Sequence, residues 1–174
     1  ERFEAVRRSV SNDYRATRLH RWSGDPDIVA VALTTGLSIL RRSGEGWADE
    51  GGVPGVDLDV WSIAEASDGQ LWLGTHSSRV ARVRLPDPGE GGQRDLDEAT
   101  VTVFGPEDGL PEGTLNTLRV GDEVYVAGLG ETVFRYDEAT GRFLQSSTFD
   151  GARSGHPLGV FQMREDMEGR VWIA

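Results

Sequence analysis

The chain has 174 residues, 23 of them glycine and 7 proline, with 37% hydrophobic content and no cysteine. This is the composition of an ordered, turn-rich globular chain, and it excludes a disulfide framework. The net charge is −11, from 29 acidic residues against 18 basic ones that are all arginine; nucleic acid and direct membrane contact are poor matches, since both demand clustered positive charge and no apolar run nears the ~20 residues of a membrane span.

Residues 1–15 carry little pattern and read as an outer strand or linker from a preceding unit. From Ala16 the chain alternates apolar and polar residues in short runs, as strands do. ATRLHRW (16–22) is an inner strand, SGDPD (23–27) a turn, IVAVAL (28–33) a second strand, 36–42 a third, and Gly46-Trp47 opens a weak fourth. GGVPGVD (51–57) connects this unit to the next.

The second unit is the sharpest. In VWSIAEASDGQLWLGT (60–75), Val60, Ser62 and Ala64 alternate with Trp61, Ile63 and Glu65. Asp68 and Gly69 supply the hairpin chemistry, an Asp that bonds its own backbone and a Gly free to take positive φ. Residues 71–73 are apolar enough for a strand buried on both faces. Residues 80–85 read as a third strand and 101–104 as a fourth, with the polar insertion 86–100 between them as a surface loop. FGPEDGLPEGTL (104–115) leads onward. The third unit repeats the plan, with a turn at Gly121-Asp122, strands over 124–127 and 133–136, the turn DEATG (137–141), and an outer strand over 143–148. A partial copy, VFQMREDMEGRVWIA (160–174), closes the chain.

Superposed, the copies make Ala30, Trp72, Tyr125 and Trp172 equivalent, at steps of 42, 53 and 47 residues. A period of this size means one supersecondary unit repeated. Four short antiparallel strands per unit, with no helical period, predict an all-β chain and a partial β-propeller of about three to four blades. The expected blades are 16–57, 58–113, 114–157 and a truncated one at 158–174. At ~40–50 residues per blade the chain is too short for a closed ring of six or more, so it reads as a fragment of a larger propeller. A plain β-sandwich has similar strands but gives no reason for the aromatic phrase to return after each fourth strand. Trp72, Tyr125 and Trp172 are expected to fill the gaps between blades, and Gly74 to let a neighbouring backbone come close.

The phrase over 60–75, the connector Asp108-Gly109-Leu110-Pro111 leading into Thr114-Leu115-Asn116, and VFRYDEATGRF (133–143) together resemble the repeat of the two-component regulator propeller family. The resemblance runs from about Ala16 to the end. It departs from the pattern at Ala30, where an aromatic is expected, and at Gly121-Asp122, where the order is reversed. It implies an extracytoplasmic, ligand-sensing input segment of a bacterial receptor, tethered through a membrane helix elsewhere in the protein and able to dimerise through the parent. A histidine kinase or diguanylate cyclase would be the parent's output, and the ligand a small molecule or oligosaccharide.

Catalytic chemistry is sparse, and the segment is expected to be non-catalytic, without metal or cofactor. The histidines His20, His76 and His156 have no second ligand at metal spacing. Asp25-x-Asp27 and Asp57-x-Asp59 lack the full calcium-loop pattern. The run His76-Ser77-Ser78-Arg79 has adjacency but no triad geometry, and GLGE (128–131) lies between strands rather than before a helix. A propeller does gather its second-to-third-strand loops and its blade connections on one face. That rim would hold Thr34, Thr35, Asp59, Trp61, His76, Arg79, Asn116, Glu131 and His156. There Trp61 could stack on a sugar ring while Arg79 and Asn116 donate hydrogen bonds. The alternatives are a propeller enzyme, such as a lyase or glycan hydrolase, or a protein-interaction scaffold.

Overall fold

In the computed structural model the alternating segments are strands that form sheets in chain order. The structure describes residues 15–89, 92–128, 132–149, 163–165, 168 and 170–173. The first sheet contains β1 (Ala16–Arg21), β2 (Ile28–Leu33), β3 (Gly36–Ser43) and β4 (Gly46–Gly52). The second contains β5 (Val60–Glu65), β6 (Leu71–Thr75), β7 (Val80–Arg84) and β8 (Thr100–Phe104). The third contains β9 (Asn116–Val120), β10 (Glu123–Ala127), β11 (Val133–Asp137) and β12 (Arg142–Ser146). β13 (Met163–Glu165) pairs with β14 (Val171–Ile173). Within each sheet, neighbours in sequence are hydrogen-bonded neighbours in space, and all pairings are antiparallel.

The turns explain the hairpins. Asp68 accepts a hydrogen bond from the Gln70 backbone N at 3.1 Å, and Gly69 takes φ 81°. At 121–122 the reversed order still works, because Gly121 carries the positive φ, 60°, one place earlier. The register then sets the repeat. Ala30 pairs with His20, Trp72 with Ala64, Tyr125 with Leu118 and Trp172 with Arg164, so all four lie at the same point of a second strand.

The sheets pack face to face, and their first strands, β1, β5, β9 and β13, run side by side. Ile28, Ile39, Leu71, Leu73 and Val83 fill the first gap. Trp72, Phe104, Leu115, Val126 and Phe143 fill the second. Leu118, Tyr125, Val133 and Phe149 fill the third, with Val171 against them. Successive four-stranded sheets fanned from their inner strands are blades, and the described residues form a partial β-propeller.

Two expectations are corrected. The insertion 86–100 is not a purely solvated loop. It contains a 3-10 turn at Leu96–Glu98, and both Arg94 and Leu96 are buried, because the segment folds back onto the first sheet. Trp172 is 62% exposed rather than core. It stands on a two-stranded sheet, and no further sheet covers it among the described residues. No helix among them is long and apolar enough to cross a membrane.

Candidate functional site: the rim of the second blade

Antiparallel order puts the start of each first strand, each second-to-third-strand loop and each blade connection at one end of the sheets. The second blade builds the most developed rim there. Val60 pairs with Thr75 and Ser62 with Gly74, which leaves Trp61 as the extra residue of a β-bulge. Bulges re-aim side chains, often beside binding sites, and this one leaves Trp61 44% exposed at the mouth of the blade. The first blade has the same bulge at Thr17, whose hydroxyl donates to the Val60 carbonyl at 2.7 Å and so lies next to Trp61 in the fan. The third blade has no bulge. There Leu115, the residue before β9, takes the place of Val60 and is fully buried as Val60 is.

His76 stands against Trp61, with ring centroids 4.7 Å apart and planes tilted by 53°. Its Nδ1 shares a hydrogen bond of 2.9 Å with the Thr114 hydroxyl, and its backbone N donates to the Asp59 carbonyl at 3.3 Å. The Asp59 carboxylate has one oxygen, Oδ1, buried without a hydrogen-bond partner. Arg79 faces Glu107 at 3.7 Å, and both side chains are largely exposed. Because exposed pairs at this distance contribute little to stability, both groups remain accessible to a ligand.

The loop and the connection are joined residue by residue. Leu115 N donates to Thr75 O (2.8 Å), Ser78 N donates to Gly113 O (2.9 Å), and Gly113 N donates to the Ser78 hydroxyl (2.8 Å). The rim is thus a preformed surface with one exposed aromatic ring, one imidazole, one guanidinium and two carboxylates. Beside it, Thr35, Pro54 and Asp57 line a cleft of about 250 Å³ over Leu33 and Leu37.

Of the residues read as rim groups, Asp59, Trp61 and His76 come together here, and Arg79 lies on the same loop facing Glu107. Thr34 accepts from the Arg15 backbone N at the matching end of the first blade. Asn116 does not present a donor to the surface. It is 3% exposed, because β9 enters its sheet at that residue. Glu131 and His156 lie outside the described residues. Thr17, Ser78, Glu107, Gly113 and Thr114 complete the site without having been singled out as rim groups, since bulges and loop-to-connection contacts leave no periodic trace in sequence. Among the described residues, no three His, Asp or Glu side chains cluster where a metal ion could be held.

At the opposite end, Trp72 is buried between blades. It stacks on Phe104 (5.8 Å, 13°), meets Phe143 edge-on (6.0 Å, 90°), and lies under the Arg82 guanidinium at 5.4 Å. Burial would raise the Asp68 carboxyl, but hydrogen bonds from the Gln70 backbone and side chain outweigh it and hold the group below its ordinary 3.8. Both residues have structural roles in the blade.

The bulge, the aromatic-bearing strand and the first half of the loop fall within one stretch of sequence. Residues 54–77 match the two component regulator propeller family. The match takes in Asp59, Trp61, Asp68, Gly69, Trp72, Gly74 and His76. No curated protein and no solved structure matches the chain.

Proposed function

We propose that this chain is the ligand-recognition segment of a bacterial signal-transduction receptor, extracytoplasmic and non-catalytic, with its rim on the second blade. The observation that carries this reading is the coincidence of the family match over 54–77 with the bulge that turns Trp61 outward beside His76. An exposed aromatic ring flanked by hydrogen-bonding and charged groups suits a ligand with an apolar face and polar edges, such as an oligosaccharide. The joined loops favour the same role, since a preformed surface loses little freedom on binding.

The test is thermal denaturation against a panel of neutral and acidic oligosaccharides. The wild-type chain is expected to gain thermal stability with at least one of them. The double variant Trp61→Ala, Arg79→Ala should lose that gain while keeping its far-UV circular dichroism. Stabilisation that persists in the double variant removes the rim from the binding role, and a wild-type chain that responds to no member of the panel removes oligosaccharides as the ligand class.

A further inference from the structure

Ser78 is the sole non-glycine residue at positive φ among the described residues, at φ 60°. Every other positive-φ position there is glycine, including Gly113 across the rim at φ 106°. A side chain in the left-handed region is uncommon and is held only where its surroundings over-determine it. Glycine would take this conformation freely. What serine adds is its hydroxyl, and that hydroxyl accepts the Gly113 N–H at 2.8 Å while Ser78 N donates to Gly113 O at 2.9 Å.

We infer that Ser78 is the positioning residue of the rim, and that its reciprocal clasp with Gly113 fixes His76 on Trp61 and Arg79 opposite Glu107. Ser78 lies between the two loop residues that meet the connection. On one side His76 contacts Thr114, next to Gly113, and on the other Arg79 reaches Glu107 at the start of the same connection. A left-handed residue reverses the chain direction locally, so the loop presents His76 and Arg79 to the connection from either side of the clasp. Without the hydroxyl, the Gly113 N–H loses its partner and the loop keeps one backbone bond at this point. The His76 ring would then leave Trp61 for part of the time. This inference rests on the rim reading above only in assigning a ligand to the surface; the clasp itself is a property of the free chain.

The experiment uses the full chain labelled with 5-fluorotryptophan, with the Trp61 resonance assigned by Trp61→Phe and its unstacked position defined by His76→Ala. Ser78→Gly relaxes the backbone and deletes the hydroxyl, so the variant is expected to fold. Its Trp61 resonance should move toward the His76→Ala position. Ser78→Asn, which tolerates the left-handed region and offers a side-chain carbonyl to Gly113, should return the resonance toward wild type. Where an oligosaccharide binds the wild type, Ser78→Gly should weaken it about two- to tenfold, the range set by one hydrogen bond. A Trp61 resonance unchanged in Ser78→Gly overturns the inference, and so does equal displacement in Ser78→Gly and Ser78→Asn. Failure of every oligosaccharide on the wild type sinks the ligand reading alone, because the resonance reports the clasp without any ligand.

Discussion

At Gly74 the second blade comes close to the chain entering the third. A Cβ built there would lie 2.3 Å from the Leu115 carbonyl oxygen and 2.4 Å from the Ser62 hydroxyl. Neither neighbour can retreat easily. Leu115 is pinned by its N–H to Thr75, and the Ser62 hydroxyl accepts the Thr117 N–H at 2.8 Å while the Thr117 hydroxyl donates to the Trp72 carbonyl at 2.9 Å. The glycine is required by space rather than by backbone freedom, and its neighbours form a buried polar seam between blades. Gly74→Ala is therefore expected to cost on the order of 1–3 kcal/mol, the range of overpacked sites, as a lower midpoint in urea denaturation. An unchanged midpoint would mean that β9 can shift away from β6 without penalty.

At the scale of elements, the insertion between β7 and β8 acts as a strap. Arg94, 5% exposed, lies 5.0 Å over the Trp22 ring, pairs with Asp25 at 3.1 Å and donates to the Pro86 carbonyl at 3.1 Å, tying the second blade to the first blade's turn. Trp22 in turn donates its indole N–H to the Gly69 carbonyl at 2.8 Å. One Arg94 nitrogen, Nη1, is buried without a partner, so packing and pairing are separable. Arg94→Met keeps much of the contact with Trp22 and removes the unpaired nitrogen, whereas Arg94→Ala loses both contact and charge. The alanine variant should lose about 1.5–3 kcal/mol, as for hydrogen bonds to charged groups, and the methionine variant less. The backbone N–H of Asp27, followed by the Arg94 pair, holds the Asp25 carboxyl below its ordinary 3.8 despite burial. A carboxyl depressed on folding contributes stability above its unfolded value and loses it as pH falls through the folded one. Acid titration of stability should accordingly show a loss below pH 3.8 that shrinks in Asp25→Asn. Equal midpoints for Arg94→Met and Arg94→Ala would remove the packing role assigned to the guanidinium.

Across the whole molecule, what could be read from the sequence was what repeats. Alternation, Asp-Gly turn chemistry and the returning aromatic placed the strands of three blades to within a few residues, because each depends on local side-chain direction or backbone freedom. The strap and the Ser78 clasp depend on contacts between segments distant in sequence, and the bulge on the register of β5 against β6. Arg94 looks like any polar-loop arginine until Trp22 is seen beneath it, and Trp61 looks like an ordinary alternating strand residue until the register slips by one. The same division governs stability. Each gap between blades has its own apolar core, so coupling runs from one blade to the next. Trp72 dominates the gap between the second and third blades through Phe104, Tyr136 and Phe143, whereas the first gap is closed by aliphatic residues, the strap, and Glu65, which accepts from Ser23 and pairs with His20 at 2.7 Å. Trp72→Ala should cost about 3–5 kcal/mol, and the loss should be local. Hydrogen exchange is expected to accelerate in β9–β12 well before β1–β4, because the first gap keeps its contacts while the second loses its largest side chain. Uniform acceleration over all three sheets would show that the blades open as one cooperative unit, and nearest-neighbour coupling would then be the wrong description of this propeller.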